Sequence, residues 1–493
     1  MNIRIDEKVP EASAEPRLDC NFFNARQAYH ELERWTLTEA LQLPEHEVER
    51  EMERQGREVQ RQLLQAHLYQ RGKGDVGKAI EVDNESGTQL HAAGHIHTRQ
   101  ITSIFGKVEC DRKAYQAQGE ASIHPLDEEL QLPERSFSYA VQERVIEECI
   151  RGPFDEGVES IDKNTGLRIP KRSAEQIVAE GALDFDAFYA QRTAPSPEQS
   201  GAILVAAVDC KGVPLVKPSG REHVARRTKG QKANKKKMAT VAAVFTQQPR
   251  VRTPEEVAAS LFDDAPVKSG PHAKPEHKRV WASLSKSKDQ VLQEVAAEVQ
   301  TRDPHATKKH VGVTDGERGL QMRVRKFLPF LLLILDFLHV LEKLWLVAHA
   351  LYGEGTDEAK EWVRKHALMI LQGKVSHVVR GIRQSLTKRK LTGTKRKVLR
   401  GAAKYFYRNR ERMKYGEYLK QGLPIASGAV EGACKNLVKD RMERSGMRWQ
   451  IPGAEAVLKL RAIKLSGDFD AYWRFHIQQD QERLYGARLW IAA

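Results

Sequence analysis

Hydrophobic residues change their spacing along this chain, and each change predicts a different kind of element. From 20 to 71 the sequence is densely charged, with apolar positions at Leu32, Trp35, Leu37, Leu41 and Leu43, which predicts a helical segment. Residues 89–115 alternate polar and apolar, the period of a half-buried strand. Gly106 marks a hairpin turn there, so two or three strands are expected. Residues 137–182 return to helix in three short pieces, 137–150, 154–163 and a third opening at Pro170, with a turn at Thr165-Gly166. Beyond a stretch rich in Pro and Ser at 192–201, which reads as a linker, the pattern changes again. Runs at 202–208, 238–246, 310–314 and 330–335 are short, continuous and rich in β-branched or large apolar residues, as in strands buried on both faces. Residues 287–300 and 316–328 read as helices, the second closed by Pro329, and 429–442 reads as a helix with Ser427 as its N-cap.

Taken in order, the second half reads strand, strand, an irregular segment around Val251, helix, strand, helix, strand. That is the element order of an RNase H-like core. Residues of about 340–420 do not continue it; they are helical and basic and read as an all-helical insertion. The expected architecture is an α/β RNase H-like catalytic core with an all-helical insertion, preceded by a mainly helical N-terminal DNA-binding region with a small β-hairpin segment. The expected boundaries are a disordered tail at 1–18, the N-terminal region at 19–195 and the catalytic domain at 196–493. A chain of 493 residues accommodates two or three domains.

Charge narrows the partners. The net charge is +14 and the pI about 9.4, which favours a polyanion and most simply nucleic acid. Two segments concentrate that charge: 221–237, including Lys235, Lys236 and Lys237, and 388–414, where Lys and Arg interleave with Tyr and Phe. The three helices of 137–182 resemble a helix-turn-helix, with Lys171, Arg172 and Gln176 of the third helix facing a DNA groove. The five cysteines are scattered with no CxxC pair, which suggests neither a zinc cluster nor a disulfide framework and fits a reduced cytoplasmic or nucleoid setting. His91, His95 and His97 read as a solvated strand face. The polar, acidic start is unlike a signal peptide, and the apolar run at 331–335 is far too short to span a membrane, so no membrane partner is expected.

Three carboxylates carry the candidate chemistry. Asp209 and Asp315 each stand at the end of an apolar strand, and ligands of α/β sheets gather at the carboxyl ends of strands. Glu431 lies near the start of the 429–442 helix, with Lys435 and Lys439 following at i+4 and i+8 as candidate phosphate contacts. Hard carboxylate oxygens on two strand ends and a helix suit a pair of Mg²⁺ (or Mn²⁺) ions acting in phosphoryl transfer on DNA. Asp336 also ends a strand and is the alternative to Asp315 as the second catalytic aspartate; with Asp315 assigned that place, Asp336 and His339 are given supporting roles as a helix N-cap, in ordering the insertion or in contacting DNA.

The stretches VDCKGVPLVK, ANKKKMATVAAVFT, RTPEEVAASLF, VWASL, TDGERGLQ, LDFLHVLEKLW, GLPIASGAVEGACKNLVKDRMERSGMRW and GAEAVLKLRAIKLSGDFDAYW together resemble bacterial insertion-sequence transposases of the ISKra family, related in plan to Mutator-like transposases. The resemblance implies an RNase H-like fold with a DDE triad falling on Asp209, Asp315 and Glu431. It also implies a C/DxxH signature falling on Asp336 and His339, and action on double-stranded transposon-end and target DNA as a homo-oligomer assembled on that DNA. The chain departs at 114–120, AYQAQGE, where relatives carry paired cysteines, which counts against an N-terminal zinc site. The rival expectations are a catalytically inactive, domesticated DNA-binding protein and an RNase H-like nuclease without strand transfer.

Overall fold

The structure is a computed structural model that describes residues 20–82, 88–216, 236–262, 274–444, 446–486 and 490–492. The chain forms two compact units, Met1–Ile177 with Trp473–Ala493, and Val178–Tyr472. The expected tail at 1–18 and most of the basic segment at 221–237, Lys235 included, lie outside the described residues.

The first unit opens with α1 (Phe23–Leu37) and α2 (Glu45–Gln70). A sheet of order β3-β2-β1-β9 follows, built from β1 (Ala79–Val82), β2 (Gln89–Ser103), β3 (Gly106–Gln116) and the late strand β9 (Trp490–Ala492). The expected hairpin is β2–β3, with Gly106 at φ +132° beginning the return strand; β1 and β9 were not legible in the pattern. Gln65 of α2 fixes the helix to β3, since its amide donates to the Glu109 carbonyl at 2.8 Å and accepts from the Glu109 N–H at 2.7 Å. Beyond a short α3 (Pro125–Glu129), the three expected helices are α4 (Tyr139–Arg151), α5 (Phe154–Thr165) and α6 (Lys171–Glu180). Gly166 closes α5 in the left-handed conformation at φ +70°, which glycine adopts without steric cost.

The division does not fall at the Pro/Ser stretch. Two polar anchors and one strand pairing draw the late residues into the first unit. Tyr139 donates to Asp480 at 2.6 Å, Tyr485 donates to the Leu132 carbonyl at 2.8 Å, and β9 pairs antiparallel with β1. Conversely, α7 (Phe185–Gln191) belongs with the second unit, because Tyr189 and Arg192 both bind Asp468 and Phe188 packs edge-on against Tyr472.

The second unit is a mixed five-stranded sheet, order β6-β5-β4-β7-β8, covered by helices. Its strands are β4 (Ile203–Pro214), β5 (Lys236–Gln247), β6 (Glu276–Ser283), β7 (Lys309–Thr314) and β8 (Leu332–Leu335). The helices between them are α8 (Pro254–Phe262), α9 (Lys288–Arg302) and α10 (Arg318–Phe327). β4–β5–β6 are antiparallel, while β4–β7 and β7–β8 are parallel. Two elements went unread in the sequence: α8, which sits where an irregular segment was expected, and β6, whose first half is polar and charged. With β6 in place, β7 is the fourth strand in chain order.

The insertion consists of α11 (Phe337–Tyr352), α12 (Asp357–Leu371), α13 (Val375–Lys388), α14 (Gly393–Asn409) and α15 (Tyr415–Lys420). It is no separate lobe. One continuous hydrophobic core runs from Ile203, Val311 and Ile334 of the sheet through Leu344, Ala367, Ile382 and Leu399 to Phe406 and Leu419. Each such side chain contributes about 1.5–3 kcal/mol on burial, so the insertion and this sheet face stabilise one another. The chain then makes α16 (Gly428–Ala433), a π-helical turn at Cys434–Lys439 and α17 (Asp440–Met442), followed by α18 (Ile451–Ser466) and α19 (Phe469–Tyr485). The π turn makes 429–442 an interrupted helix, not the uniform one expected.

Candidate functional site

Register brings the acidic residues together. Ala207 of β4 pairs with Val313 of β7, and Asp209 and Asp315 each follow two residues later. Thr314 of β7 pairs with Leu335 of β8, and Asp315 and Asp336 each follow by one. Three aspartates thus stand at neighbouring positions along the carboxyl side of three parallel strands, where α/β sheets bind ligands. Asp209 does not end its strand as expected. β4 runs on to Pro214 because β5 keeps pairing with it there, so Asp209 is held in mid-ladder.

Each aspartate is fixed differently. Asp209 Oδ1 accepts the Cys210 N–H at 2.6 Å and Oδ2 accepts the Cys434 thiol at 3.2 Å. Asp315 Oδ1 accepts the Glu317 N–H at 2.8 Å. Asp336 is fully buried and caps α11 through the Leu338 N–H at 2.8 Å, the N-cap role expected of it. Its Oδ2 accepts both the N–H and the hydroxyl of Ser427. Ser427 therefore occupies the position before α16 without capping it by side chain, since its hydroxyl is spent on Asp336.

Glu431 and His339 complete the cluster. His339 Nδ1 lies 3.4 Å from Asp336 and 3.9 Å from Glu431. Among the described residues, Asp336, His339 and Glu431 are the one group whose ligand atoms all lie within 4.8 Å, close enough to hold a metal ion. Asp209 and Asp315 stand outside that group, so the expected ligand set is divided between two adjoining clusters.

The electrostatics tie the two together. Burial and the neighbouring Asp209 charge push Asp315 above the ordinary aspartate range, and the His339 charge opposes them. Burial and the Asp336 charge likewise raise Glu431. Burial would also raise Asp336, but His339, Ser427 and the Leu338 N–H hold it below the usual range. Asp336 beside its ring lifts His339 to about 9, so the imidazole is a cation at neutral pH. The site is a half-buried group of acids, with Asp336 fully buried and His339 as a counter-cation among them.

The insertion holds this edge in place. Tyr405 donates to the Asp315 carbonyl at 2.7 Å, Arg408 to the Gly316 carbonyl at 3.1 Å, and Tyr415 to the Leu335 carbonyl at 2.8 Å. Gly316 is required twice over: its φ is +87°, and a Cβ there would stand 2.7 Å from the Tyr405 hydroxyl. Cys434, Tyr405, Tyr415 and Ser427 were missed as site residues because each reaches its partner across scores of residues; Ser427 and Cys434 do sit in one of the resembling stretches, but nothing in it points to Asp336 or Asp209.

The expected DNA contacts are dispersed. Lys435 and Lys439 are exposed, Lys236 is exposed but ion-paired with Glu443, and Lys237 is half-buried. In the first unit, Lys171, Arg172 and Gln176 are exposed; Lys171 pairs with Asp155 at 2.7 Å and Gln176 accepts from Arg135 at 3.3 Å. His95 and His97 are not simply solvated. His97 contacts His95 at 2.8 Å and His124 at 3.2 Å, and burial pushes His124 down to about 4. No family model matches the chain, and no curated protein matches it. Among the described residues no helix is long and apolar enough to cross a membrane.

Proposed function

We propose that this protein is a DDE-type DNA transposase whose larger unit is an RNase H-like catalytic core. The reading rests on one observation above all: Asp209, Asp315 and Asp336 end up side by side on adjacent parallel strands, with Glu431 brought to them by a helix. The sheet order, two antiparallel strands followed by two parallel ones on the other side of β4, supports it. So does the motif resemblance to ISKra transposases. The substrate is double-stranded DNA, at transposon ends and then at a target, and the homo-oligomer forms on that DNA in the cytoplasm.

The residues fit divalent cations. The donors are hard carboxylate oxygens, and Asp315 and Glu431 are raised first by burial and then by the neighbouring Asp209 and Asp336 charges, the latter a repulsion that a cation would relieve. Asp209, Asp315 and Glu431 are the proposed ligands of two Mg²⁺ or Mn²⁺ ions, which when bound supply charge neutralisation at the reacting phosphate. Cys434 and the Cys210 N–H orient Asp209. Asp336 is saturated by its own hydrogen bonds, so it orders α11 and holds His339 cationic against Glu431. In the first step water displaces at a transposon-end phosphate, and the P–O bond that breaks leaves a 3′-hydroxyl. In the second, that hydroxyl attacks a target phosphate; a new P–O bond joins the strands, the target's own P–O3′ bond breaks, and the proton lost by the attacking hydroxyl is balanced by the one taken up on the released target 3′-hydroxyl.

The test is incubation of the full chain with candidate end DNA in Mg²⁺, scoring nicks and joined products. Joined products support a transposase. Nicks alone would assign a nuclease, and binding with neither product a DNA-binding protein that has lost catalysis.

A further inference from the structure

The insertion carries a second feature that the acidic site does not use. From Val375 to Lys414 there are fourteen Lys and Arg residues and one acidic residue, Glu411. Packing explains why most of them face outward, although Arg408 is committed to the Gly316 carbonyl and Arg412 is half-buried against Asn409. α13 buries Val375, Val378, Val379 and Ile382, and α14 buries Leu399, Ala402, Ala403 and Phe406, which leaves the opposite helix faces to polar side chains.

Between those faces lies a groove of about 540 Å³, a volume within the ~300–1,000 Å³ of small-ligand sites. Arg380, Arg383 and Lys388 line it along α13 with Gln384, Val379 contributes apolar surface, and Tyr407 of α14 contributes an aromatic ring. Among the described residues no carboxylate lines it. The three aromatic residues of this stretch and Tyr415 just beyond it divide cleanly. Phe406 and Tyr415 are wholly buried, and Tyr405 is committed to the Asp315 carbonyl, whereas Tyr407 is 49% exposed. The guanidinium carbons of Arg410 and Arg383 lie 4.4 and 5.4 Å from its ring centroid. Arg410 is paired with Glu411 at 3.3 Å, whereas Arg383 shows no ion pair among the described residues, and a large aromatic kept half in solvent beside such a cation has much to offer a flat, anionic ligand.

We propose that this groove binds single-stranded DNA, with an unpaired base stacked on Tyr407 and the flanking phosphates on Arg380, Arg383 and Lys388. Duplex DNA fits it poorly, because its base faces are covered by their neighbours and only its phosphates could reach the groove. An unpaired strand offers both a π-face and a phosphate at nucleotide spacing, the combination that single-strand binding sites recognise. Only the choice of DNA over RNA rests on the transposase reading. The groove itself is tested without any cleavage.

The experiment measures anisotropy of fluorescein-labelled dT12 with the full-length protein in EDTA, against a 12-base-pair duplex and rU12. Tyr407→Ala is expected to weaken dT12 binding about 5- to 150-fold, the range of one lost base–aromatic stack, with duplex binding changed less than about 2-fold. Tyr407→Phe, which keeps the ring, is expected to bind like the parent, and a 5-iodouracil-substituted dT12 is expected to photocrosslink to Tyr407. Unchanged dT12 binding in Tyr407→Ala overturns the proposal, as does an equal loss of duplex binding. Tighter binding of rU12 than of dT12 overturns the assignment to DNA. Asp209→Asn keeps dT12 binding whatever its effect on cleavage, so failure of the catalytic reading and failure of the groove are read separately.

Discussion

Two aspartates flank β7, Asp303 at the C-cap of α9 in the loop leading into it and Asp315 directly after it, and the two are treated in opposite ways. On the amino side Asp303 is buried and surrounded by donors: the Thr307 N–H and hydroxyl on Oδ1, the Lys308 N–H on Oδ2, and His310 at 2.7 Å. Burial opposes its ionisation, but those hydrogen bonds prevail and hold it at about 2. At the carboxyl end Asp315 receives one backbone N–H and faces Asp209, and it is pushed up. The first carboxylate contributes stability when ionised. The second costs stability when ionised, and a raised carboxylate beside another acid is a candidate for a role outside folding.

The largest effect expected at the carboxyl end is on chemistry. Asp209→Asn should lower Mg²⁺-dependent nicking of end DNA by more than about 100-fold, since changes that only touch a ligand's neighbours already cost about 10- to 100-fold. Nicking within 10-fold of the parent would remove Asp209 from the site. Next in size is Asp303→Asn, which leaves backbone N–H groups poorly satisfied and should destabilise by about 1–3 kcal/mol in chemical denaturation at pH 7. The sign follows from the lowered value in the folded state: the contribution is present above the ordinary value of 3.8 and is lost as the pH falls through about 2. The deficit of Asp303→Asn should therefore shrink as the pH falls from 4 towards 2. Gly316→Ala should cost a similar ~1–3 kcal/mol through left-handed backbone strain and the clash with Tyr405, read from the same denaturation midpoints.

The smallest effect is the most discriminating. Asp315 is raised in the folded state, so its ionised form opposes folding once the pH exceeds 3.8. In EDTA at pH 7, Asp315→Asn should raise the melting temperature slightly. The gain should vanish near pH 3. A destabilised Asp315→Asn would make the two flanks of β7 alike and end the comparison.

Much of this arrangement was legible because β4, β5, β7 and β8 are continuous apolar runs, and runs buried on both faces announce themselves. β6 did not, since Glu276, His277, Lys278 and Arg279 precede its one apolar stretch. The candidate acids could be picked out by their place after those runs. How they are held could not. Cys434 reaches Asp209 across 225 positions and Tyr405 reaches the Asp315 carbonyl across 90, and neither contact leaves a local trace. The π turn at Cys434–Lys439 is equally silent, because a single widened turn keeps the alternation of apolar and polar residues that a regular helix has.

The first unit is discontinuous, and that has a temporal consequence. During synthesis β1 emerges early, but its neighbour β9 follows the 295 residues of Val178–Tyr472. At about 5–20 residues per second the ribosome needs about 15–60 s to cross that interval. Throughout it the outer edge of β1 has no strand to pair with, and open strand edges recruit other chains. The nascent protein carries that open edge for about 15–60 s while its larger unit is still being made.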